Sequence, residues 1–125
     1  MANEILIYIG SAIIILWGIA HLIPTRQIVK GFGEISEDNK KVVAMEVIAE
    51  GLTLVFLGVL PILVTAFGDA QSLTAKIVYI AGGAMLLAMA ILTLATGART
   101  PTVWYKICPV VKTAAAVLFI FGGTI

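Results

Sequence analysis

The chain has 125 residues, of which 61% are hydrophobic and only 12% are charged, and its mean hydropathy is +1.11. Soluble domains are about 45–50% apolar and about 25% charged, so a soluble core cannot hide this much apolar surface. The net charge of +1 excludes the basic field that nucleic-acid binding requires, and a single cysteine excludes an internal disulfide. The composition therefore predicts an integral membrane protein with the lipid bilayer as its main partner.

Four apolar segments are long enough to cross a bilayer, which takes about 20 residues each. They lack the alternation of a β-strand, so we expect helices, and the short linkers favour antiparallel packing. The sequence predicts an all-α, antiparallel four-helix transmembrane bundle in a single domain, with spans at about 4–24, 42–67, 75–97 and 104–124. Ser36 is a good N-cap, so the second long helix should begin in water near Glu37.

Positive charges are concentrated at one end of the expected bundle, in and next to its first and third linkers. The residues are Arg26, Lys30, Lys40, Lys41, Arg99 and Lys106. By the positive-inside rule, linkers 25–41 and 98–103 face the cytoplasm and both termini lie outside the cell membrane.

Two carboxylates, Glu46 and Glu50, lie inside the second apolar segment. Their spacing of four residues places them on one helix face, at depths of about 6 and 12 Å if the helix enters lipid near Val42. A charge facing lipid at mid-bilayer costs about 2.5–3.5 kcal/mol. We therefore expect both carboxylates to face the interior of the bundle.

The only histidine, His21, and the lysine in the last span, Lys112, fall at the same level as these acids when the helices are antiparallel. Three spans thus contribute ionisable groups to one leaflet. The predicted ligand or proton site contains His21, Glu46, Glu50 and Lys112, and Trp17 and Arg99 are candidate cavity-lining residues.

Structural explanations remain open for each of these groups. The acids could form a polar cluster with Lys112 as counter-ion, the lysine could instead reach the interface, and Arg99 could only complement a helix dipole. A metal held by His21, Glu46 and Glu50 is chemically plausible, yet no motif such as H-E-x-x-H supports it, so no cofactor is predicted. Cys108 is expected to be a small packing residue.

A Glu near the start of the second span followed by "GLTLVFLGVL", and a third linker with Gly97, Pro101 and Trp104, resemble the small DoxX-like four-helix membrane proteins. The resemblance concerns the layout of the chain. It implies a four-span fold with suggested redox links, and it transfers no catalytic residue beyond Glu46 or Glu50.

These features favour a membrane protein that binds or conducts a cation, a proton or a small amphipathic ligand. A structural or accessory subunit of a larger membrane complex is the first alternative, and an intramembrane enzyme acting on a lipid or quinone by Glu/His acid–base chemistry is the second. Transport would require a homo-oligomer or a gap between helices, because four helices enclose little lumen.

Overall fold

The computed structural model describes residues 2–125, which form helices joined by short loops and contain no strand. The helices are α1 (Ala2–Leu22), α2 (Thr25–Gly31), α3 (Glu37–Phe67), α4 (Leu73–Ala95) and α5 (Val103–Thr124), with a 3-10 turn at Gly97–Arg99. This architecture confirms the predicted all-α fold, in which α1, α3, α4 and α5 form a bundle.

Helix α3 begins where the sequence predicts. The Ser36 hydroxyl accepts a hydrogen bond from the Asn39 amide at 3.1 Å, which caps the first turn. At 31 residues the helix is about 46 Å long, whereas the hydrocarbon core is about 30 Å thick. Its first turns, which include Glu37 and Asp38, therefore extend beyond the lipid.

The four long helices are each long and apolar enough to cross a membrane. Large apolar side chains on every one of them are exposed, for example Leu16 at 67%, Leu52 at 57%, Ile91 at 67% and Val117 at 52%. In water such a surface would be highly unfavourable, but acyl chains solvate it. The chain is therefore a multi-pass membrane protein.

The bundle is held by three extensive helix–helix interfaces, α1 with α3, α1 with α5, and α4 with α5. Glycines allow the closest approaches: a Cβ added at Gly18 would lie 2.9 Å from the Val55 amide nitrogen, and one at Gly83 would lie 3.0 Å from the Ala116 carbonyl oxygen. Small residues at such contacts let backbones pack in the absence of a hydrophobic driving force between helices.

Helices α3 and α4 make far less contact with each other. Where their loop joins them, the hydroxyl groups of Thr65 and Tyr79 form a buried hydrogen bond of 2.6 Å. Asn3 also donates to the Ala70 carbonyl there, at 3.2 Å, so this terminal end holds both termini and the α3–α4 loop. Toward the opposite, linker end, which holds α2 and the 3-10 turn, a cleft separates α3 from α4.

Candidate functional site

The cleft between α3 and α4 has a volume of about 550 Å³, which is typical of small-molecule sites. Methionines and Leu92 from α4 form part of its apolar wall, and α3 presents acids and a threonine. Residues from α1 and α5 lie at its base. The lining includes Glu46, Glu50, Thr53, Met85, Met89, Leu92, Thr93, His21, Tyr105 and Cys108.

An ion pair between Lys112 and Glu50 joins α5 to α3 beside this cleft. The Lys112 ammonium donates to Glu50 Oε1 at 2.6 Å and to the Thr93 hydroxyl at 3.1 Å, so it also contacts α4. Lys112 is completely buried, whereas the Glu50 side chain is 37% exposed. Burying an ammonium without a partner is very costly, so Glu50 is required as its counter-ion.

His21 lies on the other side of the same carboxylate. Its Nδ1 is 3.0 Å from the Trp17 carbonyl oxygen, which can only accept, so Nδ1 carries a proton and donates it. In the neutral ring the Nε2 lone pair is then free. It points toward Glu50 Oε2, at 3.7 Å, and toward the Cys108 thiol, at 3.9 Å. The separation from Glu50 exceeds an ordinary hydrogen bond, whereas the contact with the thiol is a long hydrogen bond in which the Cys108 S–H can donate to Nε2.

Cys108 completes the cluster. It is buried, and its sulfur accepts a hydrogen bond from the Trp17 indole N–H at 3.3 Å. The sequence assigned this residue only a packing role. The signal that could have identified it is its spacing of four residues before Lys112, which places both on one face of α5.

The structure brings together three of the four predicted site residues, His21, Glu50 and Lys112, from three different helices. Glu46 differs from the expectation, because it is exposed at the open rim of the cleft rather than inside the bundle. A helix turn of about 5.4 Å separates it from Glu50 along α3.

The two candidate lining residues occupy other positions. Trp17 lies behind Cys108 and supports it through the indole N–H, and Arg99 is exposed in the 3-10 turn next to the cleft residue Gly97. Within residues 2–125, neither side chain forms part of the cleft lining. Thr93, which holds Lys112, was not identified from the sequence.

The arrangement provides carboxylate oxygens, an imidazole nitrogen and a thiol at the base of a cleft with apolar walls. These groups can accept protons, bind a positively charged ligand or coordinate a metal ion. No family model, curated protein or solved structure gives a significant match to this chain, so the DoxX-like resemblance stays a prediction.

Proposed function

We propose that this membrane protein binds a lipophilic cation, such as a hydrophobic amine or a quaternary ammonium compound, in the cleft between α3 and α4. The observation that carries the proposal is the pair of carboxylates, Glu46 and Glu50, on the α3 side of a cleft whose opposite wall is apolar.

The charges of the cleft favour a cation over an anion. Lys112, the buried amine nearest the cleft, is already bonded to Glu50 and Thr93 and is inaccessible. Lys112 is paired with the Oε1 atom of Glu50. It does not engage Glu50 Oε2, which faces His21, or either oxygen of Glu46. An anion would meet two carboxylates, whereas a cation would find acceptors.

The apolar part of the ligand would contact Met85, Met89 and Leu92 on α4. Methionine side chains adapt to irregular apolar shapes, which suits a site that accepts ligands with different hydrophobic groups. Because α3 and α4 diverge within their membrane-spanning segments, such a ligand would enter from the bilayer. The concentration of basic residues at the linker end supports placing the cleft in the cytoplasmic leaflet, with both termini outside.

Two ions of nearly the same shape and opposite charge test the proposal: tetraphenylphosphonium and tetraphenylborate. Binding of each to the full chain in neutral detergent is measured by isothermal titration calorimetry. We expect the cation to bind with one site per chain and the anion to bind at least tenfold more weakly. Equal binding of both ions would contradict the proposal, because partitioning into the micelle would then explain it.

Two substitutions locate the site without disturbing the buried ion pair. Glu46→Gln should weaken binding of the cation by about 1 kcal/mol, or roughly fivefold, since this carboxylate is exposed. The matched control is Glu34→Gln, in the loop before α3. Ala49→Trp should block the cleft, whereas Leu52→Trp on the lipid-facing side of α3 should not. Unchanged binding in both cleft variants would refute the assignment.

The accessory-subunit alternative predicts a different outcome for the same variants. If the polar residues only specify helix pairing with another protein, Glu46→Gln would alter assembly and leave the affinity for tetraphenylphosphonium unchanged. The acid–base enzyme alternative is less favoured, because His21 Nε2 and Glu50 Oε2 are 3.7 Å apart, beyond hydrogen-bond distance.

A further inference from the structure

Three side chains at the base of the cleft form a cluster whose histidine and cysteine the lipophilic-cation proposal does not use. His21 Nε2, Cys108 Sγ and a Glu50 carboxylate oxygen all lie within 4.8 Å of one another, and each comes from a different helix. From this geometry we infer a binding site for a borderline-soft divalent metal ion of the zinc class, with these three residues as ligands.

The two distances from His21 Nε2 are close to those of tetrahedral coordination. With metal–nitrogen and metal–oxygen bonds of about 2.0–2.2 Å and a metal–sulfur bond of about 2.3 Å, neighbouring ligand atoms lie about 3.4 Å (N to O) and about 3.6 Å (N to S) apart. In the structure Nε2 is 3.7 Å from Glu50 Oε2 and 3.9 Å from Cys108 Sγ. These two separations need to shorten by only about 0.3 Å, whereas the third, between Cys108 Sγ and the Glu50 oxygen, lies within 4.8 Å and must shorten by up to about 1.2 Å to reach about 3.6 Å.

Each ligand is also held from outside by a second group, as is usual at metal centres. The Trp17 carbonyl accepts from His21 Nδ1, which leaves Nε2 as the coordinating atom. The Trp17 indole N–H donates to the Cys108 sulfur, and a thiolate would strengthen that bond. Lys112 holds Glu50 Oε1 and so directs Oε2 toward the histidine.

The electrostatic balance of the site has room for one more negative charge. The net charge of the site is one positive charge when a divalent ion is counted together with the Cys108 thiolate, the Glu50 carboxylate and the Lys112 ammonium. Glu46, one helix turn from Glu50 at the rim of the same cleft, supplies the negative charge that neutralises it. Glu46 does not belong to the group of ligand atoms within 4.8 Å of one another, so a water molecule on the cleft side would complete the coordination, with Glu46 as a nearby hydrogen-bond acceptor.

The chemistry of the donors selects the metal. A thiolate and an imidazole favour zinc, and cobalt and nickel to lesser degrees, over magnesium and calcium, which prefer oxygen ligands. On binding, the Cys108 thiol releases its proton to solvent. The titratable groups that face the site are His21 from α1, Glu46 and Glu50 from α3, and Tyr105, Cys108 and Lys112 from α5, and α4 faces it with Thr93. Because cysteine and histidine bind deprotonated, affinity should rise with pH.

The test is a cobalt titration of the full, untagged chain in neutral detergent after treatment with a chelator. Because the chain has one cysteine and one histidine, a thiolate-to-cobalt charge-transfer band can come only from Cys108. We expect one Co²⁺ per chain, tetrahedral d–d absorption, that charge-transfer band, release of protons, and stoichiometric displacement by Zn²⁺.

Variants decide whether the ion occupies the inferred site. Cys108→Ser should abolish the charge-transfer band and lower the affinity for Co²⁺ at least tenfold. His21→Gln should lower that affinity by a similar factor, and Glu34→Gln is the matched control. Circular dichroism of each variant verifies that the helices persist. Absence of the band at saturating Co²⁺, or an affinity that both variants leave unchanged, would overturn the inference.

The two proposals are separable by experiment. Trp17 donates to the Cys108 sulfur but does not line the cleft, so Trp17→Phe should weaken Co²⁺ binding at least tenfold and leave tetraphenylphosphonium binding within about twofold of the parent chain. Ala49→Trp should abolish tetraphenylphosphonium binding while the thiolate-to-cobalt band persists, since it fills the cleft but replaces none of the three ligands.

Discussion

The ion pair between Lys112 and Glu50 can be tested by a double-mutant cycle with Glu50→Gln, Lys112→Met and the two together. The paired atoms are 2.6 Å apart, and only one of the two side chains is fully buried. Opposite charges about 4 Å apart attract by about 4 kcal/mol at an effective dielectric constant of 20, and breaking a buried pair costs about 3–5 kcal/mol. The 37% exposure of Glu50 reduces both figures.

The two single variants should differ. Glu50→Gln leaves the inaccessible Lys112 ammonium with one neutral amide oxygen and the Thr93 hydroxyl, so we expect a loss of about 2–4 kcal/mol in the free energy of unfolding. Lys112→Met leaves a carboxylate that the cleft can hydrate, so we expect about 1–2 kcal/mol. The double variant should lose less than the sum of the two, with a coupling energy of about 1–3 kcal/mol.

Unfolding is measured by titrating sodium dodecyl sulfate into mixed micelles and recording far-UV circular dichroism together with tryptophan fluorescence. Trp17 is a useful reporter because its ring lies edge-on to His21, with the ring centroids 5.6 Å apart. If both single variants lose under about 0.5 kcal/mol and their effects are additive, the pair does not exist in the folded protein. Equal losses would show that Lys112 is hydrated, contrary to its complete burial.

Three further outcomes are expected. Gly18→Ala should lower the free energy of unfolding by about 1–3 kcal/mol, because the added Cβ would meet the backbone of α3. Gly82→Ala, where a Cβ would have nothing within 4 Å, should stabilise α4 by about 0.5–1 kcal/mol, and the same unfolding titration compares the two. Trp17→Phe should lower the affinity for Co²⁺ about 10–100-fold while keeping the charge-transfer band, since it removes the N–H donor to the thiolate but no metal ligand. Tyr79→Phe should cost about 1 kcal/mol, because its buried hydroxyl bonds to α3, while Tyr8→Phe at an exposed site should cost nothing measurable.

The fold could be predicted because its determinants are local. Four long apolar runs can satisfy their backbone groups in lipid only as helices, and short linkers leave antiparallel packing as the simple arrangement. The cap at Ser36 depends on a side chain three residues from its amide partner, so it was visible in the sequence. The gap between α3 and α4 was not, because it depends on which helices share interfaces.

The level of the site could be predicted as well, since depth along a helix follows from residue count. This arithmetic correctly grouped His21, Glu50 and Lys112. It could not separate Glu46 from Glu50, because both lie on one face of α3 and the packing of α5 against that face decides which one meets Lys112. Cys108 was overlooked because a lone cysteine is usually only a packing residue.

Lys112 would link the stability of the bundle to the cation binding that we propose for the cleft. At one end of the space between α3 and α4 the Thr65–Tyr79 bond joins the two helices, and at the other the lysine reaches across from α5 to both. This ammonium satisfies one oxygen of Glu50 and repels any second cation that approaches the other oxygen. It therefore stabilises the folded chain and would lower the affinity of a cation at the same carboxylate, so that under the proposed function a ligand in the cleft would remain exchangeable with the bilayer.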